Sequence, residues 1–141
     1  MENEKKIIEL TSNGNIIKSE LFLYDEFLED AEKVCIEILL NGKIMKSIDD
    51  NYFDALLNMR KKLEQKGIQI MCNGAVRNVF PSRMQLSMGT GRLAYKLTIG
   101  QPAKVVDVVD IFEYEISLIH ILSSYLFQHK ESNYYNRLCF R

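Results

Sequence analysis

Val34-Cys35-Ile36-Glu37-Ile38-Leu39-Leu40-Asn41-Gly42-Lys43-Ile44-Met45-Lys46-Ser47-Ile48 is the stretch whose reading decides the fold. Val34, Ile36, Ile38 and Leu40 alternate with Cys35, Glu37 and Leu39, and a period of two is that of a strand. Asn41-Gly42 tolerates the positive φ that a tight hairpin demands, so the chain is predicted to reverse there and return as a second strand over 43–48. Apolar residues on both faces of the first arm point to a central strand. Working outward, residues 6–10 and 16–23 repeat the pattern around Asn13-Gly14, which predicts a second hairpin upstream.

Downstream the period changes from two to 3.6. Tyr52, Leu56, Met59 and Leu63 fall at i, i+4, i+7 and i+11, Phe53 and Leu57 widen the stripe, and Arg60, Lys61, Lys62, Glu64 and Lys66 supply a wet face. Asp49, Asp50 or Asn51 is placed to cap this helix, and Gly67 to stop it. Ile68, Ile70 and Cys72 then read as a strand, a short helix is expected between Ser82 and Gly89, and residues 93–99 alternate as another strand. Val105, Val108, Val109 and Phe112 have helical spacing. A helix is also expected over 115–129, and the polar, aromatic segment 131–141 is expected to fray. This order predicts an α+β fold, an antiparallel sheet built from hairpins with helices packed on one face, as a single domain over 1–141.

Length and composition suit that reading, since 141 residues with 47% hydrophobic content supply one core without metal or disulfide staples. The charged N-terminus, Met1-Glu2-Asn3-Glu4-Lys5-Lys6, lacks the apolar stretch of a signal peptide, so a cytoplasmic location is expected. Residues 116–127 form the most apolar segment, yet it is too short to span a bilayer and contains His120, Ser123 and Ser124. If exposed, that segment permits a homo-oligomer.

The search for catalytic chemistry returns little. Cys35, Cys72 and Cys139 are too widely spaced for a metal or redox pair, and His120 and His129 form no zinc-binding spacing. No G-x-S-x-G elbow starts a hydrolase triad. Gly89-Thr90-Gly91 fits neither phosphate-binding glycine pattern and reads as a turn into the strand at Leu93. Arg77, Arg83, Arg92 and Lys96, with Phe80 and Tyr95 among them, mix charge and aromatic character as nucleic-acid binders do, but the net charge of −1 disfavours that function. The expectation is therefore no enzyme, no cofactor and no metal. The alternative is a small anion- or nucleotide-binding module, or an enzyme, that uses the loops of residues 73–92.

The charge is unevenly distributed along the chain. Residues 1–57 hold 13 Asp/Glu against 6 Lys/Arg, and residues 58–141 hold 6 against 12. The acidic half concentrates Asp25, Glu26, Glu29, Asp30 and Glu32 within eight positions, followed by Asp49, Asp50 and Asp54. Solvated loops and helix caps account for part of this, Asp49 and Asp50 above all. A docking patch for a basic partner accounts for the rest equally well. The candidate partner-binding residues are thus Asp25, Glu26, Glu29, Asp30, Glu32, Asp49 and Asp50.

One further pattern narrows the function. Cys72-Asn73-Gly74-Ala75-Val76-Arg77-Asn78-Val79-Phe80-Pro81-Ser82-Arg83-Met84, Ser87-Met88-Gly89, Ala94-Tyr95-Lys96-Leu97, Gly100-Gln101-Pro102-Ala103-Lys104 and Val109-Asp110-Ile111-Phe112 together resemble small bacterial immunity-type proteins encoded beside polymorphic or contact-dependent growth-inhibition toxins. The resemblance covers the middle third to half of the chain, and more loosely the helix before it. It implies a protein that neutralises a cognate toxin, expected to be a basic nuclease, by covering its active site. It implies no catalytic residue, and it assigns the shared motif to the scaffold while the acidic half makes the contacts.

Overall fold

The computed structural model describes residues 3–25 and 32–114. The expectations for Glu26, Glu29 and Asp30, for the helix over 115–129 and for the end at 131–141 lie outside the described residues. The chain divides between Met71 and Cys72 into two compact units. The fold is broadly α+β, with more sheet than helix among the described residues: a five-stranded antiparallel sheet, a second sheet of three short strands, and two α-helices.

In the first unit, β1 (Asn3–Ser12), β2 (Asn15–Tyr24), β3 (Val34–Leu40), β4 (Lys43–Asp49) and β5 (Ile68–Met71) form one sheet in the order β4-β3-β2-β1-β5. Both predicted hairpins are present, and in each both turn residues take positive φ: Asn13 at 52° and Gly14 at 80°, Asn41 at 52° and Gly42 at 76°. That is the turn whose twist matches two antiparallel strands, and Asn followed by Gly occupies it at the lowest steric cost. Alternation along the strands then places Ile8, Leu10, Leu21, Leu23, Ile36, Ile38 and Ile70 on one face, all buried. Each such side chain contributes about 1.5–3 kcal/mol on burial.

Helix α1 (Tyr52–Glu64) contacts β3, β4 and β5, and buries Tyr52, Ala55, Leu56, Met59 and Leu63. Asn51 is the cap among the three candidates, its side chain accepting from Asp54 N at 2.8 Å. Gly67, at φ 74°, follows the last turn as expected. The buried Ser47 hydroxyl donates to Ala55 O at 2.8 Å, which satisfies a polar group inside the unit. Arg60 departs from the predicted wet face, being only 1% exposed, with Nε 4.0 Å from Glu64 Oε2. Its long apolar stem extends the buried stripe while the guanidinium keeps a carboxylate beside it.

The second unit contains β6 (Val79–Phe80), α2 (Arg83–Met88), β7 (Leu93–Lys96) and β8 (Val108–Asp110), with the strands in the order β6-β7-β8. Helix α2 stands where it was expected. The helix expected from Val105 is instead a 3₁₀ turn at Val105–Asp107 followed by β8. Branched Val side chains lose rotamer freedom in a helix and fit a pleated strand, and β7 offers the edge that β8 pairs with. Strand β7 ends at Lys96 rather than Ile99. Among the described residues no helix is long and apolar enough to cross a membrane.

Candidate functional site

Antiparallel register brings together the described acidic candidates of the first unit. Tyr24 pairs with Cys35 and Val34 with Asp49, so the end of β2, the start of β3 and the end of β4 lie side by side. Asp25, Glu32, Asp49 and Asp50 therefore share one end of the sheet, joined by Asp54 from the first turn of α1. Glu26, Glu29 and Asp30 lie outside the described residues.

Hydrogen bonds sort these carboxylates into two groups. Asp49 accepts from Asn58 Nδ2 at 2.6 Å and from the Asp50 amide at 2.8 Å. Asp54 accepts from Asn51 Nδ2 at 2.8 Å, and Asp25 accepts from the Tyr52 hydroxyl at 2.6 Å. These three anchor the helix start and the end of β2. Asp50 differs, since its side chain is 73% exposed even though its Oδ1 lies 2.5 Å from Lys33 Nζ. Glu32 is also exposed. The outward carboxylates of Asp50 and Glu32 thus adjoin three carboxylates that are hydrogen-bonded into the fold, and together they set negative charge at this end of the sheet.

Sequence reasoning found the residues but not their convergence. The signal lay in the hairpin registers, because two Asn-Gly turns fix which residues meet at the far end of the sheet. It also missed Lys33 as the cation of the cluster and Tyr52 as the support beneath Asp25.

In the loops of residues 73–92 Asn73, Asn78, Ser82, Gln85 and Arg92 bond within the second unit, while Arg77 and Arg83 are exposed. Asn73 is 2% exposed; its amide donates to Glu113 O at 2.7 Å and its side chain to Asp110 O at 3.1 Å. Asn78 and Leu97 exchange two bonds, Nδ2 to O at 2.7 Å and N to O at 2.9 Å. Ser82 and Gln85 form a reciprocal capping box at 3.2 and 2.8 Å. Arg92 Nε lies 3.0 Å from Asp110 Oδ2, whose other oxygen accepts from Phe112 N. Gly89 and Gly91 both donate their amides to Gln85 O, so Gly89-Thr90-Gly91 is the turn its sequence suggested. Phe80 is buried and pairs with Tyr95 across the small sheet.

Burial pushes the Cys35 thiol up to about 11; the Glu37 carboxylate adds to the rise and the Lys46 ammonium opposes it. At neutral pH Cys35 is therefore a protonated core thiol rather than a nucleophile. A cleft of about 370 Å³ opens at the opposite end of the sheet among Ile7, Ile17, Lys18, Glu20, Leu39 and Leu40, and its lining includes neither His nor Cys. Among the described residues no group of three or more His, Cys, Asp or Glu is gathered as a metal site would require. No protein-family model matches the chain, and no curated protein matches it significantly.

Proposed function

We propose that this chain is a cytoplasmic immunity protein that binds a basic cognate toxin, a nuclease in the simplest case, and neutralises it by covering its active site. Two observations support the reading: the resemblance of residues 72–112 to immunity-type proteins, and the gathering of acidic residues at one end of the first unit. The gathering carries the most weight. Asp25 and Glu32 are far in sequence from Asp49 and Asp50, and the strand registers set these four at one end of the sheet. Fixed carboxylates at that surface attract a cationic partner, raise its association rate and stand in for the phosphates a nuclease grips. On this reading Glu32 and Asp50, with Glu26, Glu29 and Asp30, meet the toxin. Asp25 and Asp49 hold the platform, helices pack on one face of the sheet, and the motif in 72–112 is scaffold.

The test is co-purification of the chain with the product of the gene immediately upstream, together with a growth assay of that gene alone and with this one. Toxicity relieved by co-expression, with a stable complex, is the expected result. A harmless neighbour that does not bind would overturn the reading.

A further inference from the structure

Strand β4 is the last in the order β4-β3-β2-β1-β5, and among the described residues its outer edge pairs with no strand. The two-residue turn at Asn41-Gly42 makes Leu40 and Lys43 the closing pair of the hairpin. In such a hairpin the closing pair exchanges its hydrogen bonds, and alternation then aims the amides and carbonyls of 43, 45, 47 and 49 at β3 and those of 44, 46 and 48 outward. Lys62 Nζ, reaching from α1, donates to the Lys46 carbonyl at 2.7 Å, in agreement with that direction. An outward row of backbone groups is a template for another strand.

We propose that this edge pairs antiparallel with β4 of a second copy of the chain, about a two-fold axis at Lys46. The occupant follows from the self-complementarity of the strand. Outward residues must meet outward residues, and an axis at Lys46 sets Ile44 opposite the second copy's Ile48 and Lys46 opposite its counterpart, with about two ladder bonds per pair. The side chains agree with this register. Lys43 meets the second copy's Asp49, a pair of opposite charge, and Ile44 and Ile48, which are 60% and 40% exposed, cover one another. Like charges meet only at Lys46, where the Glu37 carboxylate of the same chain lies 3.6 Å from Nζ. An axis at Met45 or Ser47 instead sets Lys46 against an isoleucine and leaves Lys43 or Asp49 without an opposite charge.

Lys62 guards this edge. Its ammonium occupies the central outward carbonyl and must leave before a strand docks, so the dimer is weak and Lys62 sets its strength. The inference does not rest on the toxin-binding reading, although Asp49 belongs to both surfaces, and it is tested on the chain alone.

The experiment is sedimentation equilibrium of the full chain over a concentration series, with circular dichroism as the check on folding. The wild type is expected to dimerise as concentration rises, Lys62→Met to tighten the dimer and Lys43→Glu to weaken it about tenfold. Lys46→Pro is expected to abolish it, because the amide it removes faces outward and is not used by β3. If that variant does not fold, Lys43→Glu and Lys62→Met still decide the matter. A Lys62→Met chain that stays monomeric throughout, or a dimer indifferent to Lys43→Glu, would overturn the proposal.

Discussion

At the end of the five-stranded sheet, Asp50 turns most of its carboxylate to water while its neighbour Asp49 is held by Asn58 and a backbone amide. In the second unit Asn73 is almost wholly buried, and its donors reach the backbone of residues some 40 positions on. Both regions are rich in polar residues, but one leaves part of its charge facing outward while the other closes loops onto itself. Polar content alone therefore does not mark a binding surface. What separates Asp50 from Asn73 is exposure: the carboxylate keeps most of its surface in water although it pairs with Lys33, whereas Asn73 is buried.

That difference can be broken by substitution. Removing the buried Asn73 side chain should have the largest effect on stability: Asn73→Ala takes away its hydrogen bond to the Asp110 carbonyl, which keeps the Glu113 amide as donor, and empties a buried position, and is expected to cost about 1–3 kcal/mol in urea denaturation. Affinity for the proposed toxin partner, measured on the folded fraction, should hold. Ser82→Ala removes one half of the capping box and is expected to cost about 1 kcal/mol by the same measurement. Tyr52→Phe, on the acidic side of the comparison, should also cost about 1 kcal/mol, because the Asp25 carboxylate loses its donor. A cost near zero there would mean that Asp25 is not a support.

Cys35 sharpens the comparison from inside the sheet. Its folded value of about 11 exceeds the ordinary 9.0, so the unfolded chain releases this proton first as pH rises. The stability linked to Cys35 is complete below about pH 9 and is lost between about 9 and 11, and Cys35→Ala should flatten the alkaline limb of a stability–pH curve. The smallest effect on stability is expected for Glu32→Lys with Asp50→Lys, within about 1 kcal/mol, since an exposed ion pair contributes little.

The regions were unequally legible in the sequence. Two Asn-Gly turns, strict alternation and a capped helical stripe disclosed nearly all of the first unit, because each rests on local chemistry that tertiary contacts reinforce. Arg60 escaped because a guanidinium on a long apolar stem is compatible with either face of a helix. In the second unit Ser82 and Gln85 announced α2, but the valines of 105–109 carry helical spacing and strand preference together, and only pairing with β7 decides between them. The acidic residues were all visible, whereas their convergence depended on registers that no single segment contains.

The central claim is that the outward carboxylates of the first unit capture the toxin, and it is tested most directly by the affinity of the purified pair as a function of salt, for the wild type and for Glu32→Lys with Asp50→Lys. Affinity that falls as salt rises, and that drops by about a hundredfold or more in the charge-reversed chain while the fold persists, is the predicted result. Affinity unmoved by either change would contradict it.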